Sequence, residues 1–129
     1  MQRSMELSLA SANLAPEAIG YVNAHATATD LGDIAESQAT HNVFGNHIPA
    51  SSLKSYMGHT LGASGSLEAW FSIEMMNRDW YAPTIHLENI DDRCGDLDYL
   101  TTGREFSSEY IMTNNKGQYL YHGNKEKPF

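Results

Sequence analysis

The amino-acid sequence predicts an α/β fold, and two observations predict it. Short apolar runs, loops of small residues and segments of helical periodicity follow one another in that order along the chain. One helical segment, 67–76, is apolar nearly all round, so it is expected to lie between layers and not on a surface.

The elements follow in order. Met5, Leu9 and Ala12 stand at helical spacing within Gln2–Ala12, and Asn13-Leu14-Ala15-Pro16 ends that helix. Residues 19–24 form a short apolar run that reads as a buried strand and delivers His25 at its carboxyl end, where α/β sheets keep their chemistry. Thr29 or Asp30 caps a helix to about Phe44, with Asp33 and Glu36 near its positive amino end and Gly45-Asn46 as its stop. Residues 48–53 read as a second strand, 54–65 as a loop rich in Gly and Ser, and 66–77 as the apolar helix. Ala82-Pro83-Thr84 opens an extended stretch, 91–95 is a polar turn, and 97–100 and 110–113 read as paired strands. Residues 1–115 are expected to form one domain, and 116–129, polar and locally basic, a frayed tail.

Composition narrows the function. At 129 residues, 41% hydrophobic and 19% charged, the chain is one globular domain's worth. A formal charge of −8 with only eight scattered Lys and Arg argues against nucleic acid. No stretch reads as a secretory signal or a membrane span, so a cytoplasmic location is expected. Cys94 is the single cysteine, which leaves no internal disulfide. It lies in Asp91-Asp92-Arg93-Cys94-Gly95-Asp96, where carboxylates make it a poor nucleophile. His41, His47, His86 and His122 lack zinc-site spacing, and no metal is expected. A Gly-Lys-Ser/Thr phosphate loop and a Gly-x-Ser-x-Gly elbow are both missing.

Two motifs carry the chemistry. His25 lies in Tyr21-Val22-Asn23-Ala24-His25-Ala26-Thr27-Ala28-Thr29-Asp30-Leu31-Gly32-Asp33, followed by Glu36. His59 lies in Lys54-Ser55-Tyr56-Met57-Gly58-His59-Thr60-Leu61-Gly62-Ala63-Ser64-Gly65. Imidazole changes charge near neutrality, and small neighbours let a ligand approach the backbone. Together, in this order, the two strings resemble the β-ketoacyl-acyl-carrier-protein synthases, and the resemblance runs from about residue 1 to 115.

That resemblance implies the carboxyl-terminal half of a thiolase-like αβαβα fold, with a mixed sheet and a buried central helix. It implies an acyltransferase of fatty-acid biosynthesis that joins an acyl group to malonyl-carrier protein by decarboxylative Claisen condensation. His25 and His59 would promote loss of carbon dioxide, since two imidazole N–H donors stabilise an enolate oxygen more than the ground state. Lys54 and Glu36 would neutralise each other behind them, and Thr27 and Thr29 would contact the phosphopantetheine arm. No cofactor is implied beyond that arm on the acyl carrier protein. The implied partners are the carrier protein, an amino-terminal half bearing the nucleophilic cysteine and, when complete, a second copy in a homodimer; neither nucleic acid nor a membrane is among them. Without the cysteine half the chain is expected to be inactive. A non-catalytic domain that binds an acyl or pantetheine group, or pairs with a synthase, is the alternative.

Two departures from the family pattern stand out. Ala26 replaces the glycine that usually follows the first histidine, which matters only if that position needs positive φ. From Lys116 the sequence matches neither the family's Gly- and Phe-rich loop nor its final core strand.

Overall fold

The computed structural model describes residues 1–115 in full, together with the backbone of Gln118–Asn124. Helix α1 (Gln2–Ala12) ends on Asn13 in the left-handed conformation, whose N–H satisfies the last carbonyls of the helix. Strand β1 (Ile19–Asn23) leads through a loop into α2 (Asp30–Phe44), then β2 (Pro49–Ser51), the short helix α3 (Lys54–Met57) and α4 (Ser64–Asn77). Short strands β3 (Trp80–Tyr81), β4 (Asp98–Tyr99) and β5 (Arg104–Glu105) precede β6 (Tyr110–Asn115) and β7 (Gln118–Asn124).

The main sheet is mixed, in the order β4-β2-β1-β6-β7. Strands β4, β2, β1 and β6 run parallel, and β7 lies antiparallel to β6 at the edge. Parallel strands buried on both faces need apolar residues of both registers, and β1 and β6 supply them. Val22 and Met112 face a core formed with Met5 and Leu9 of α1 and Ala39 of α2. Their neighbours Tyr21 and Ile111 face a second core with Met75 and Met76 of α4. The period of two thus separates two layers of helix. In the second core Tyr81 stacks on Phe106 with centroids 4.1 Å apart, and the buried Tyr21 hydroxyl lies 2.7 Å from Ser51 Oγ.

Two expectations are corrected. The strands at 97–100 and 110–113 share the sheet but do not pair, because β2 and β1 stand between β4 and β6. Helix α4 is buried on one side only: Trp70 is 58% exposed and stacks on Phe71 at 5.3 Å. Its sheet-facing stripe is Ser64, Glu68, Ser72, Met75 and Met76, which recur at three to four residues, so polar residues occupy the inner side. In the tail expected to fray, 116–117 and 125–129 lie outside the described residues, but the backbone of Gln118–Asn124 pairs along β6. The open edge of β6 explains this, since its unpaired N–H and C=O groups offer a ready template.

Candidate active site

The carboxyl ends of β1 and β2 bring the two histidine motifs together. His25 follows β1 and is 8% exposed, whereas His59 follows α3 and is exposed. Their ring centroids lie 5.4 Å apart with the planes perpendicular. His59 Nδ1 accepts a hydrogen bond from the Leu61 N–H at 3.2 Å, which leaves the proton of neutral imidazole on Nε2 as a donor.

The His25 loop is fastened to the first turns of α2. Glu36 Oε1 accepts the N–H of His25 and Oε2 the N–H of Ala26, each at 2.8 Å. One turn earlier, Asp33 accepts the N–H of Thr27 at 3.0 Å and of Ala28 at 3.1 Å. Asp33 and Glu36 are three apart and therefore share a helix face, so two carboxylates hold four consecutive amides. Ala28 closes the loop with φ 59°, the left-handed region; Ala26 is not among the residues of positive φ, so its methyl group brings no backbone strain. The hydroxyls of Thr27 and Thr29 lie 3.2 Å apart on this loop. Gly32 makes room for Thr29, because a Cβ at Gly32 would come within 2.3 Å of Thr29 Oγ1.

Lys54 and Glu36 do not neutralise each other. The Lys54 ammonium, in a residue 7% exposed, meets Glu68 Oε1 of α4 at 2.5 Å, and Glu68 is fully buried. Glu36 is satisfied instead by the two amides and by Asn114 Nδ2 at 3.0 Å. Burial pushes the Glu36 carboxyl above its usual range, and the three donors offset this only in part. Both carboxylates obey one rule, that a buried charge needs a cation or several donors, and they obey it differently.

Further bonds join the two motifs. Ser52 Oγ donates to Ala26 O and accepts the Lys54 N–H, both at 3.3 Å. Asn23, fully buried, donates to Thr113 Oγ1 at 2.9 Å and accepts the Leu53 N–H at 3.3 Å. Glu68, Asn114, Asn23 and Ser52 were not foreseen as site residues. Glu68 had a signal: with Glu74 it is one of two carboxylates in an apolar helix, a buried carboxylate needs a cation or several donors, and Lys54 is the nearest upstream lysine. Cys94 is half-buried in the 91–94 turn, and no described bond joins it to either histidine. Among the described residues no group of three or more His, Cys, Asp or Glu could hold a metal ion, and no helix is long and apolar enough to cross a membrane.

Comparison with known proteins identifies the family. Residues 1–88 match the family model for the "Beta-ketoacyl synthase, C-terminal domain". The chain is 41% identical to the 3-oxoacyl-[acyl-carrier-protein] synthase 2 of Coxiella burnetii over 117 residues, which cover 88% of this chain and 28% of that protein. It is 57% identical to a beta-ketoacyl synthase from Burkholderia phymatum STM815, whose crystal structure it matches with a TM-score of 0.87 over 88% of this chain and 28% of that one. A ketosynthase seen in complex with its type II acyl-carrier protein and bound to a hexaketide is similar at 31% identity and a TM-score of 0.81, covering 87% of this chain and 28% of that one. The chain therefore spans a little over a quarter of the length of these relatives, with the thiolase-like fold of the ketosynthases. It belongs to the β-ketoacyl synthase family, as that family's carboxyl-terminal domain.

Proposed function

We propose that this chain supplies the decarboxylating half of a 3-oxoacyl-acyl-carrier-protein synthase site in fatty-acid biosynthesis. The observation that carries the reading is the perpendicular His25–His59 pair at 5.4 Å, with His59 Nδ1 engaged by a backbone N–H. Two Nε2–H donors converging on one thioester oxygen suit the charge that develops as malonyl loses carbon dioxide. The C–C bond breaks, its electron pair passes into the enolate, and the oxygen takes up negative charge. The enolate carbon then attacks an acyl thioester held on a cysteine of the amino-terminal half, and that sulfur leaves as thiolate. Cys94 does not serve as this nucleophile.

In this reading Glu36 and Asp33 fix the His25 loop, and the Lys54–Glu68 pair fixes the turn that carries His59. Thr27 and Thr29 meet the phosphopantetheine arm of the acyl carrier protein, which is the substrate carrier; no other cofactor is used. The named relative acts on acyl-carrier-protein substrates and a ketosynthase neighbour is seen with its carrier protein, which supports that partner. The chain alone does not condense, and the complete enzyme works as a homodimer in the cytoplasm.

Carbon dioxide release from malonyl-carrier protein tests this. The chain alone gives none, and the chain joined to a matching amino-terminal half gives turnover. His25→Ala or His59→Ala in the joined enzyme lowers kcat/KM about 10²–10³-fold. Binding of acyl-pantetheine without any release from the joined enzyme would favour the non-catalytic alternative and overturn this reading.

A further inference from the structure

A cavity of about 300 Å³ lies behind the His25 loop, between α2, the sheet and the segment around 84–97. Its volume is at the lower end of the roughly 300–1,000 Å³ usual for ligand pockets. Small side chains create the space: Ala24 and Ala50 on the sheet side and Ser37 and Thr40 on α2 leave it unfilled, while Ile34 and Leu97 line it with apolar surface. The polar groups of Ser37, Thr40 and Glu36 in its walls are already engaged. Ser37 Oγ donates to Ile34 O and accepts the Gly95 N–H, and Thr40 Oγ1 donates to Glu36 O. The Glu36 carboxylate is taken up by His25, Ala26 and Asn114. What the interior offers a guest is therefore apolar contact.

The mouth has a different character. Its exposed lining includes Asp30 and Asp91, with Asp33 beside them. Arg93 bridges Asp30 and Asp91 at 2.6 Å each, and Asp33 accepts the amides of Thr27 and Ala28, so the rim carries three carboxylates and one guanidinium and stays net negative. Across a chain of net charge −8 an anionic head group is repelled from this rim and a cationic one is attracted. We propose that the cavity behind the His25 loop is a binding site for a small amphipathic cation of the primary alkylamine class, its chain among Ala50, Ile34 and Leu97 and its ammonium at the Asp30–Asp91 rim.

Cys94 lines the same cavity and is the single thiol, so its reaction with a neutral disulfide, 4,4′-dithiodipyridine, reads occupancy at one place. Hexylamine at about five times its dissociation constant is expected to slow that reaction about sixfold, in proportion to the unoccupied fraction. Hexanoate at the same concentration is expected to leave the rate unchanged. Ala50→Leu, which fills the floor, should abolish protection with the circular-dichroism spectrum of the folded chain retained. Asp91→Asn, on the exposed rim, should weaken protection without touching the core, and it serves if Ala50→Leu does not fold. No slowing by hexylamine overturns the proposal, as does equal slowing by hexanoate or protection that survives in folded Ala50→Leu or undiminished in Asp91→Asn. The measurement needs no condensing activity, so its failure leaves the proposed function standing.

Discussion

His25 and His59 face each other from supports of opposite kinds. His25 is buried, and its own amide and the three that follow it are held by Glu36 and Asp33. His59 is exposed, and its ring is steadied by the single N–H of Leu61, while the ion pair behind it lies five residues back at Lys54. One imidazole is thus set by the backbone that carries it, and the other by a turn that follows a buried charge pair. Four amides of the His25 loop are tied to one face of α2, whereas the His59 turn is closed by bonds within itself, Gly58 N–H to Lys54 O and Leu61 N–H to His59 Nδ1.

Substitutions at the two supports separate them, and the largest effect belongs to the charge pair. Lys54→Met strands Glu68 in the core and is expected to lower stability by about 3–5 kcal/mol, measured by urea unfolding. Lys54→Met with Glu68→Leu should recover most of that loss, since the unpaired charge and not the missing bridge is what costs; a double variant as unstable as the single one breaks the account. Glu36→Ala leaves the amides of His25 and Ala26 without acceptors, and water entering the vacated space limits the loss to about 1–3 kcal/mol. Amide exchange should quicken at His25 and Ala26 and stay unchanged at Leu61.

Gly58 tests the other side. Its φ of 71° and ψ of −176° lie where only glycine sits without strain, immediately before His59. Gly58→Ala is expected to cost about 1–3 kcal/mol, and the loss of the His25–His59 ring contact, read by nuclear Overhauser effects, is its signature.

The smallest effect is one of pH. The folded chain holds the Glu36 proton above the ordinary value of 4.5, so native Glu36 binds more protons than unfolded Glu36 in the range just above it. Its contribution to stability is therefore fully present below about 4.5 and declines as pH rises through the folded value. Glu36→Gln should remove that slope from urea midpoints taken between pH 4 and 8, and an unchanged slope would assign it to another group.

Much of the fold was legible because its signals are local. The Gln2–Ala12 and Asp30–Phe44 helices match their expected bounds, since apolar spacing, Asn13 and Gly45 act within a few residues. The histidine pair was legible through its two motifs, not through periodicity. The partner of Lys54 was not legible. Glu36 and Glu68 both lie in motif-linked helices, and only the tertiary contact that brings the Lys54 ammonium to α4 selects Glu68. Strand order escaped for the same reason, as β4 and β6 carry no mark of the two strands between them.

By itself the sequence determined where the two histidine motifs lie, where the helices start and stop, and that His25 follows a buried strand, because propensity and motif are properties of neighbours along the chain. Only the tertiary structure decided what each buried charge rests on. Lys54 meets a carboxylate of α4, fourteen residues on, and Glu36 takes an amide of Asn114 from β6, seventy-eight residues on. A charge taken out of water must find its partner in space, and the nearest neighbour in space is set by how helices cross the sheet.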